Sequence, residues 1–147
     1  MELSDLFAGR VDVADALVRL RQVAGEVGLA IGDRTRTFNS RRAQEMGKWV
    51  EELGRGDAFR DAVFRAYFVD GRNIAKPEEL KLIAESAGLP GEDALQVLSE
   101  YRFATAVDAD WERARAFRIT SVPTHIYGRY KLVGFHPYED LCRLVTS

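Results

Sequence analysis

Cysteine occurs once in these 147 residues, at Cys142, which excludes an intrachain disulfide and a CxxC redox pair among them. Histidine occurs twice, at His125 and His136, with no cysteine or carboxylate cluster at ligand spacing nearby, so no metal site is expected. Neither charge sign dominates. A formal net charge of −2, with lysine and arginine scattered among acids, lacks the basic footprint of a duplex-binding protein, so no nucleic-acid partner is expected. The N-terminus, MELSDLFAGRVDVAD, has early acids and no apolar run; it reads as neither signal peptide nor membrane anchor, and a cytoplasmic protein is expected. What remains is ordinary for a globular chain: 46% hydrophobic and 30% charged residues, in a length suited to one domain, 1–147.

Helical periodicity runs through most of the chain. Val13, Ala16, Leu17, Leu20, Ala24 and Val27 follow a capping Asp12 and stop at Gly28, which predicts a helix over 12–27. LAIGDRTRTF has weak extended character. Asn39 and Ser40 offer acceptors to the free amides of a second helix carrying Ala43, Met46, Val50 and Leu53. DAFRDAVFRAYFVDG, capped by Asp57, is apolar on most of its circumference and predicts a central helix, with Phe59, Phe64, Phe68, Trp49 and Trp111 as core aromatics. Pro77 suits a first turn and opens a fourth helix with Leu80, Ile83, Ala84 and Ala87 inward. A fifth is predicted from Glu92 to Tyr101 with Leu95, Leu98 and Tyr101 inward. A sixth runs from Thr105 to Phe117, where Asp108 and Asp110 favour the positive end of the helix dipole. THIY and YKLVGF then flank Gly128-Arg129 as a tight hairpin, and PYEDLCRLVT closes the chain as a helix packed through Tyr138, Leu141, Cys142 and Val145. Residues 1–104 thus form a mostly helical region, and 105–147 a helix followed by ββα.

ITSVPTHIYG places Pro123 at the mouth of this hairpin, although proline cannot donate to a strand ladder. A Val-Pro step is also where a cis peptide costs least. This ending, a helix through Phe117-Arg118-Ile119 and then Thr-Ser-Val-Pro-Thr, strand, glycine turn, strand and helix, resembles the closing half of a thioredoxin-type domain. NSRRAQEMGKWVEELGRGDAFRDAVFRAYFVDGRNI is similar to the helical insert of the DsbA family, in the branch containing 2-hydroxychromene-2-carboxylate isomerases and related oxidoreductases. AVDADWERARAFRITSVPTHIYGRYKLVGFHPYEDL is similar to that branch's ending, although relatives there are closer to Gly-Val-x-Gly-Val-Pro-x-Phe and Gly-Ala-Gln-Pro.

The resemblance implies an α/β, mostly α fold: a thioredoxin-like C-terminal ββα half with a DsbA-type insert, its first βαβ half and CxxC helix missing before Met1. A fragment, a late start codon or a split gene would each account for that. Thiol–disulfide exchange needs a low-pKa thiolate near a helix N-terminus, and Cys142, late in the last helix on an apolar face, does not fit; no catalytic residue is expected, and the chain is expected to be inactive alone. In the family, the residue before the cis-proline offers its backbone to an extended peptide or to glutathione, which makes Ser121, Val122, Pro123 and Thr124 the implied substrate-binding loop, with peptide or thiol as substrate. The other reading is that Pro123 only shapes the turn. Asn39 matches an asparagine near the substrate in the isomerases, though capping explains it fully. No cofactor is expected apart from glutathione, in the reading as a glutathione-linked isomerase fragment. A further alternative is a non-catalytic module that self-associates through the exposed hairpin edge, since an isolated hairpin is marginal; two copies would pair edges, or LAIGDRTRTF would move in as a strand. An all-helical regulator would leave the hairpin unexplained.

Overall fold

A computed structural model describes residues 1–7 and 12–146. Among them the chain is mostly helical: α1 (Leu3–Phe7), α2 (Val13–Glu26), α3 (Arg41–Glu52), α4 (Gly56–Phe64) running into a π-helical turn (Arg65–Val69), α5 (Pro77–Ser86), α6 (Gly91–Ser99) and α7 (Ala104–Ala116). Strands β1 (Thr124–Tyr127) and β2 (Tyr130–Val133) and helix α8 (Tyr138–Thr146) follow. Two compact units result, residues 1–107 and 108–147, their boundary falling within α7. No helix among the described residues is long and apolar enough to cross a membrane.

The first unit is built on one apolar cluster. Met46 and Val50 of α3, Leu80 and Ala84 of α5 and Ala94 of α6 are 0% exposed, and Phe59, Ile83, Val97 and Leu98 close around them. Local chemistry sets where these helices start. Asp12 Oδ1 accepts from the amides of Ala14 and Asp15 at 2.9 and 3.2 Å, and Pro77 occupies the first turn of α5, where its missing N–H leaves nothing unpaired. At α3, Asn39 Oδ1 receives the Arg41 amide at 2.9 Å, whereas Ser40 makes no cap with its side chain and its Oγ instead accepts from Gln44.

Among the described residues, the segment before α3 joins no sheet. Arg36 forms a single antiparallel bridge with Glu2, supported by the Leu3 amide on the Thr35 carbonyl and the Thr37 amide on the Met1 carbonyl. Its other anchor is the π-helical turn. The Gly32 amide donates to the Phe68 carbonyl at 2.9 Å, and a Cβ on Gly32 would stand 2.1 Å from the Val69 carbonyl oxygen, an approach only glycine permits. Arg34 lies over the rings of Tyr67 and Phe68, 4.0 and 4.8 Å from their centroids.

Several expectations change here. The predicted central helix is an α-helix only to Phe64; Arg55 rather than Asp57 is its N-cap residue, and Asp57 sits in the first turn. Its buried stripe is Phe59, Val63 and Ala66. Phe64, five residues beyond Phe59 and so roughly 140° round the helix, is 55% exposed. Helix α6 ends at Ser99, and Tyr101, expected inward, adopts a left-handed φ of 51° and is exposed. Helix α7 begins early enough that Asp108 and Asp110 lie past its first turn, and Trp111 is exposed at 38%.

In the second unit, Leu144 is the buried residue of α8, Leu141 and Cys142 are half-buried, and Tyr138 and Val145 are exposed, so the inward stripe is rotated from the predicted one. The hairpin has the register Thr124↔Val133, His125↔Leu132, Ile126↔Lys131 and Tyr127↔Tyr130. Gly128, at φ 57°, is the first of its two connecting residues, where a tight turn compatible with strand twist requires positive φ.

Candidate functional site

The loop Ser121–Thr124 links the end of α7 to β1, and each side of it is fixed by the backbone. Helix α7 gives way to a turn in which Arg118 is left-handed, φ 51°, with the Ile119 amide returning to the Ala114 carbonyl at 3.0 Å. Lys131 of β2 reaches across to the same end: its Nζ donates to the carbonyls of Phe117 at 2.8 Å and Arg118 at 3.3 Å, supplying a cation where the helix dipole is negative. On the strand side, the Gly134 amide donates to the Pro123 carbonyl at 2.8 Å, extending the ladder by one bond beyond Val133. Thr124 Oγ1 donates to the Ser121 carbonyl at 2.7 Å and closes the loop on itself.

The Val122–Pro123 peptide is cis. Pro123 sits one residue ahead of β1, where its missing N–H removes nothing from the ladder. Val122 is 87% exposed, and its N–H has no hydrogen-bond partner among the described residues. β1 pairs with β2 alone, so its outer edge carries no strand among them. The outer edge of β1 thus offers backbone donors and acceptors in an extended geometry, with the N–H of Val122 on the bend ahead of it.

The other sequence candidates are placed as follows. Asn39 belongs to the first unit and spends its side-chain oxygen on the Arg41 amide. His125 is exposed on β1; His136 is half-buried, with Nε2 3.1 Å from the Val133 carbonyl and Nδ1 3.4 Å from Asp140, which ties the end of β2 to α8. No group of histidine, cysteine and carboxylate side chains able to hold a metal occurs among the described residues. Cys142 is a free, half-buried thiol. One arrangement went unnoticed in the sequence: Arg41 and Arg42 both bind Glu45, itself only 2% exposed. The signal was present as Arg-Arg-x-x-Glu, the i,i+4 and i,i+3 spacing of helical ion pairs.

A helix, a loop with cis-proline, an antiparallel hairpin and a closing helix define a thioredoxin-like ending, here preceded by a helical cluster. Residues 7–145 match the DSBA-like thioredoxin domain family, and the chain belongs to it. Among solved structures it is similar to a probable DsbA oxidoreductase from Streptomyces coelicolor, with a TM-score of 0.85 and 26% sequence identity over 99% of this chain. The match spans 66% of that longer protein. No curated protein matches the sequence.

Proposed function

We propose that this chain is the substrate-binding part of a DsbA-like thiol–disulfide oxidoreductase, with Ser121, Val122, Pro123 and Thr124 receiving an extended peptide or thiol substrate. The redox dithiol of that reaction is not among these residues. The observation that carries the reading is the N–H of the 87% exposed Val122, unpartnered among the described residues and two residues ahead of a strand whose outer edge is open among them. An extended peptide gains affinity there by main-chain hydrogen bonds, as in other cases of strand addition. Catalysis by these 147 residues alone is not expected. A nucleophile for disulfide exchange must be an accessible thiolate, and the single thiol here is half-buried on α8.

Fluorescence anisotropy with a labelled extended peptide tests the reading. Val122→Pro deletes the exposed N–H without touching a buried side chain, and removing one such hydrogen bond, worth about 1 kcal/mol, should weaken binding roughly fivefold. Equal affinity for wild type and variant refutes the binding role of Val122. Titration with glutathione in the same assay, by competition, decides whether the isomerase-like use of this loop applies.

A second reading is favoured by the apolar surface of the second unit. Val122, Val133, Phe135 and Tyr138 are each more than half exposed, and Leu144 alone among the described residues 108–146 is buried. In this reading two copies pair through the open hairpin edge. Sedimentation velocity from 1 to 100 μM, roughly the range in which weak strand pairing shows, supports it if the sedimentation coefficient rises with concentration; a constant monomer value removes it.

A further inference from the structure

The π-helical turn Arg65–Val69, the end of α4 and the segment before α3 meet at one partly exposed surface of the first unit. We infer that this surface docks an acidic peptide segment of a partner protein, with a carboxylate on Arg34 and an adjacent apolar side chain on Phe64.

Arg34 differs from the other half-buried arginines of the described residues. Arg21 pairs with Asp33, Arg41 and Arg42 with Glu45, and Arg72 with Glu79. Arg34 has no hydrogen-bond or ion-pair partner among the described residues and is held by rings instead, its guanidinium carbon 4.0 Å from the Tyr67 centroid and 4.8 Å from that of Phe68. No side-chain nitrogen among those residues is both buried and unpaired, so the N–H groups of Arg34 face solvent. A guanidinium over aromatic faces keeps its planar fork of donors open at the rim, and that fork matches the two oxygens of a carboxylate. Arg65, on the π-helical turn itself, is exposed, and its side chain likewise has no acidic partner among the described residues. The acid next to Arg34 in the chain, Asp33, is already committed to Arg21. Positive charge is therefore left for an acidic partner to neutralise.

The rings supply the apolar half. Phe64 is 55% exposed and meets Phe68 edge-on with centroids 5.8 Å apart, and Phe68 meets Tyr67 at 4.9 Å. Beneath them, Phe38 and Tyr67 pack against the core cluster, and the Tyr67 hydroxyl lies 3.1 Å from Thr37 Oγ1. The backbone is tied as well: the Gly32 amide donates to the Phe68 carbonyl, and the Asp70 amide closes the π turn on the Arg65 carbonyl at 3.1 Å. Such a surface is set before a partner arrives, which lowers the ordering cost of binding. Arginine, tyrosine and phenylalanine are the side chains enriched at protein interfaces, and single π turns recur at functional sites. A free anion would use Arg34 and leave Phe64 in water; a segment carrying both groups uses the whole surface.

The test uses the intact ¹⁵N-labelled chain and the peptide acetyl-Glu-Leu-Phe-amide as probe, with acetyl-Gln-Leu-Phe-amide, acetyl-Glu-Gly-Gly-amide and sodium phosphate as references at equal ionic strength. The probe should shift the Arg34 Nε–Hε resonance and the amides of Phe64 to Phe68 saturably at roughly millimolar concentration. The neutral peptide and the glycine peptide should each bind roughly tenfold more weakly. Arg34→Gln should lose the same factor, and Phe64→Ala, which alters an exposed side chain and leaves the fold intact, roughly fivefold. The sedimentation coefficient should be the same for wild type and Arg34→Gln. A linear shift, equal affinity for either reference peptide, tighter binding of phosphate than of the probe, or unchanged affinity in Phe64→Ala overturns the inference. So does a dimer that Arg34→Gln dissociates, because the occupant is then a second copy of this chain.

Discussion

Replacing Glu45 by glutamine keeps the side chain's shape and removes its charge from between two arginines. In the native protein its oxygens lie 3.0 and 3.1 Å from Arg41 and Arg42, and the carboxylate is only 2% exposed. Hydrogen bonds to charged groups contribute about 1.5–3 kcal/mol each against about 1 for neutral ones, so weakening two of them sets an upper bound of roughly 4 kcal/mol. Water lowers that bound, because the two arginine side chains retain 28% and 24% exposure and can be hydrated once the carboxylate is neutral. About 2 kcal/mol is expected, below the 3–5 typical of breaking a fully buried pair. For a cooperative unit of about a hundred residues this lowers the melting temperature by roughly 8–16 °C. Differential scanning calorimetry of wild type and Glu45→Gln in parallel measures it. A shift under 3 °C, about 0.5 kcal/mol on the same scale, would show that the clamp at the start of α3 is not what holds its end against the carbonyls of Leu98 and Ala104.

Other consequences are as direct. Leu80→Ala removes a fully buried side chain from the center of the first unit and should cost about 3 kcal/mol by denaturant titration; under 1 kcal/mol would mean that the cluster collapses around the gap. Lys81 is held above its ordinary value of 10.5 by its hydrogen bond to Glu92, with desolvation opposing and the charges of Glu92, Glu85 and Glu78 adding. A raised lysine stabilises the fold fully below its unfolded value and loses that contribution as pH rises through the folded one. An NMR titration should therefore place Lys81 above 10.5, and Glu92→Gln should return it towards 10.5. Insulin reduction by these 147 residues in dithiothreitol should match the protein-free rate; turnover above it that vanishes in Cys142→Ser would overturn the reading of that thiol.

Period and punctuation made most of the first unit legible. Asp12, Pro77 and the glycines at 28, 54 and 88 act locally, so the chain marks its own helix boundaries there. The hairpin was equally clear from Gly128-Arg129 between two apolar tetrads. Where the reading failed, the cause was tertiary. Nothing local distinguishes the α-helical Phe64 from the π-helical turn after it, a change bound up with packing against Gly32 and Arg34. Tyr101 continued an apolar stripe, yet its helix had already stopped. The proposal that the loop around Pro123 is a site rests on family resemblance, since a proline before a strand has a purely structural meaning as well. The Arg41–Arg42–Glu45 cluster was visible as spacing alone, with nothing in the sequence to say that Glu45 is buried.

A peptide titration followed residue by residue in the amide spectrum of the labelled chain tests the binding role of the loop most directly. The account predicts that an extended peptide perturbs the amides of Ser121, Val122 and the β1 residues Thr124 to Tyr127. Shifts confined to other residues, or none at concentrations up to about 1 mM, the weak end of specific recognition, would contradict it.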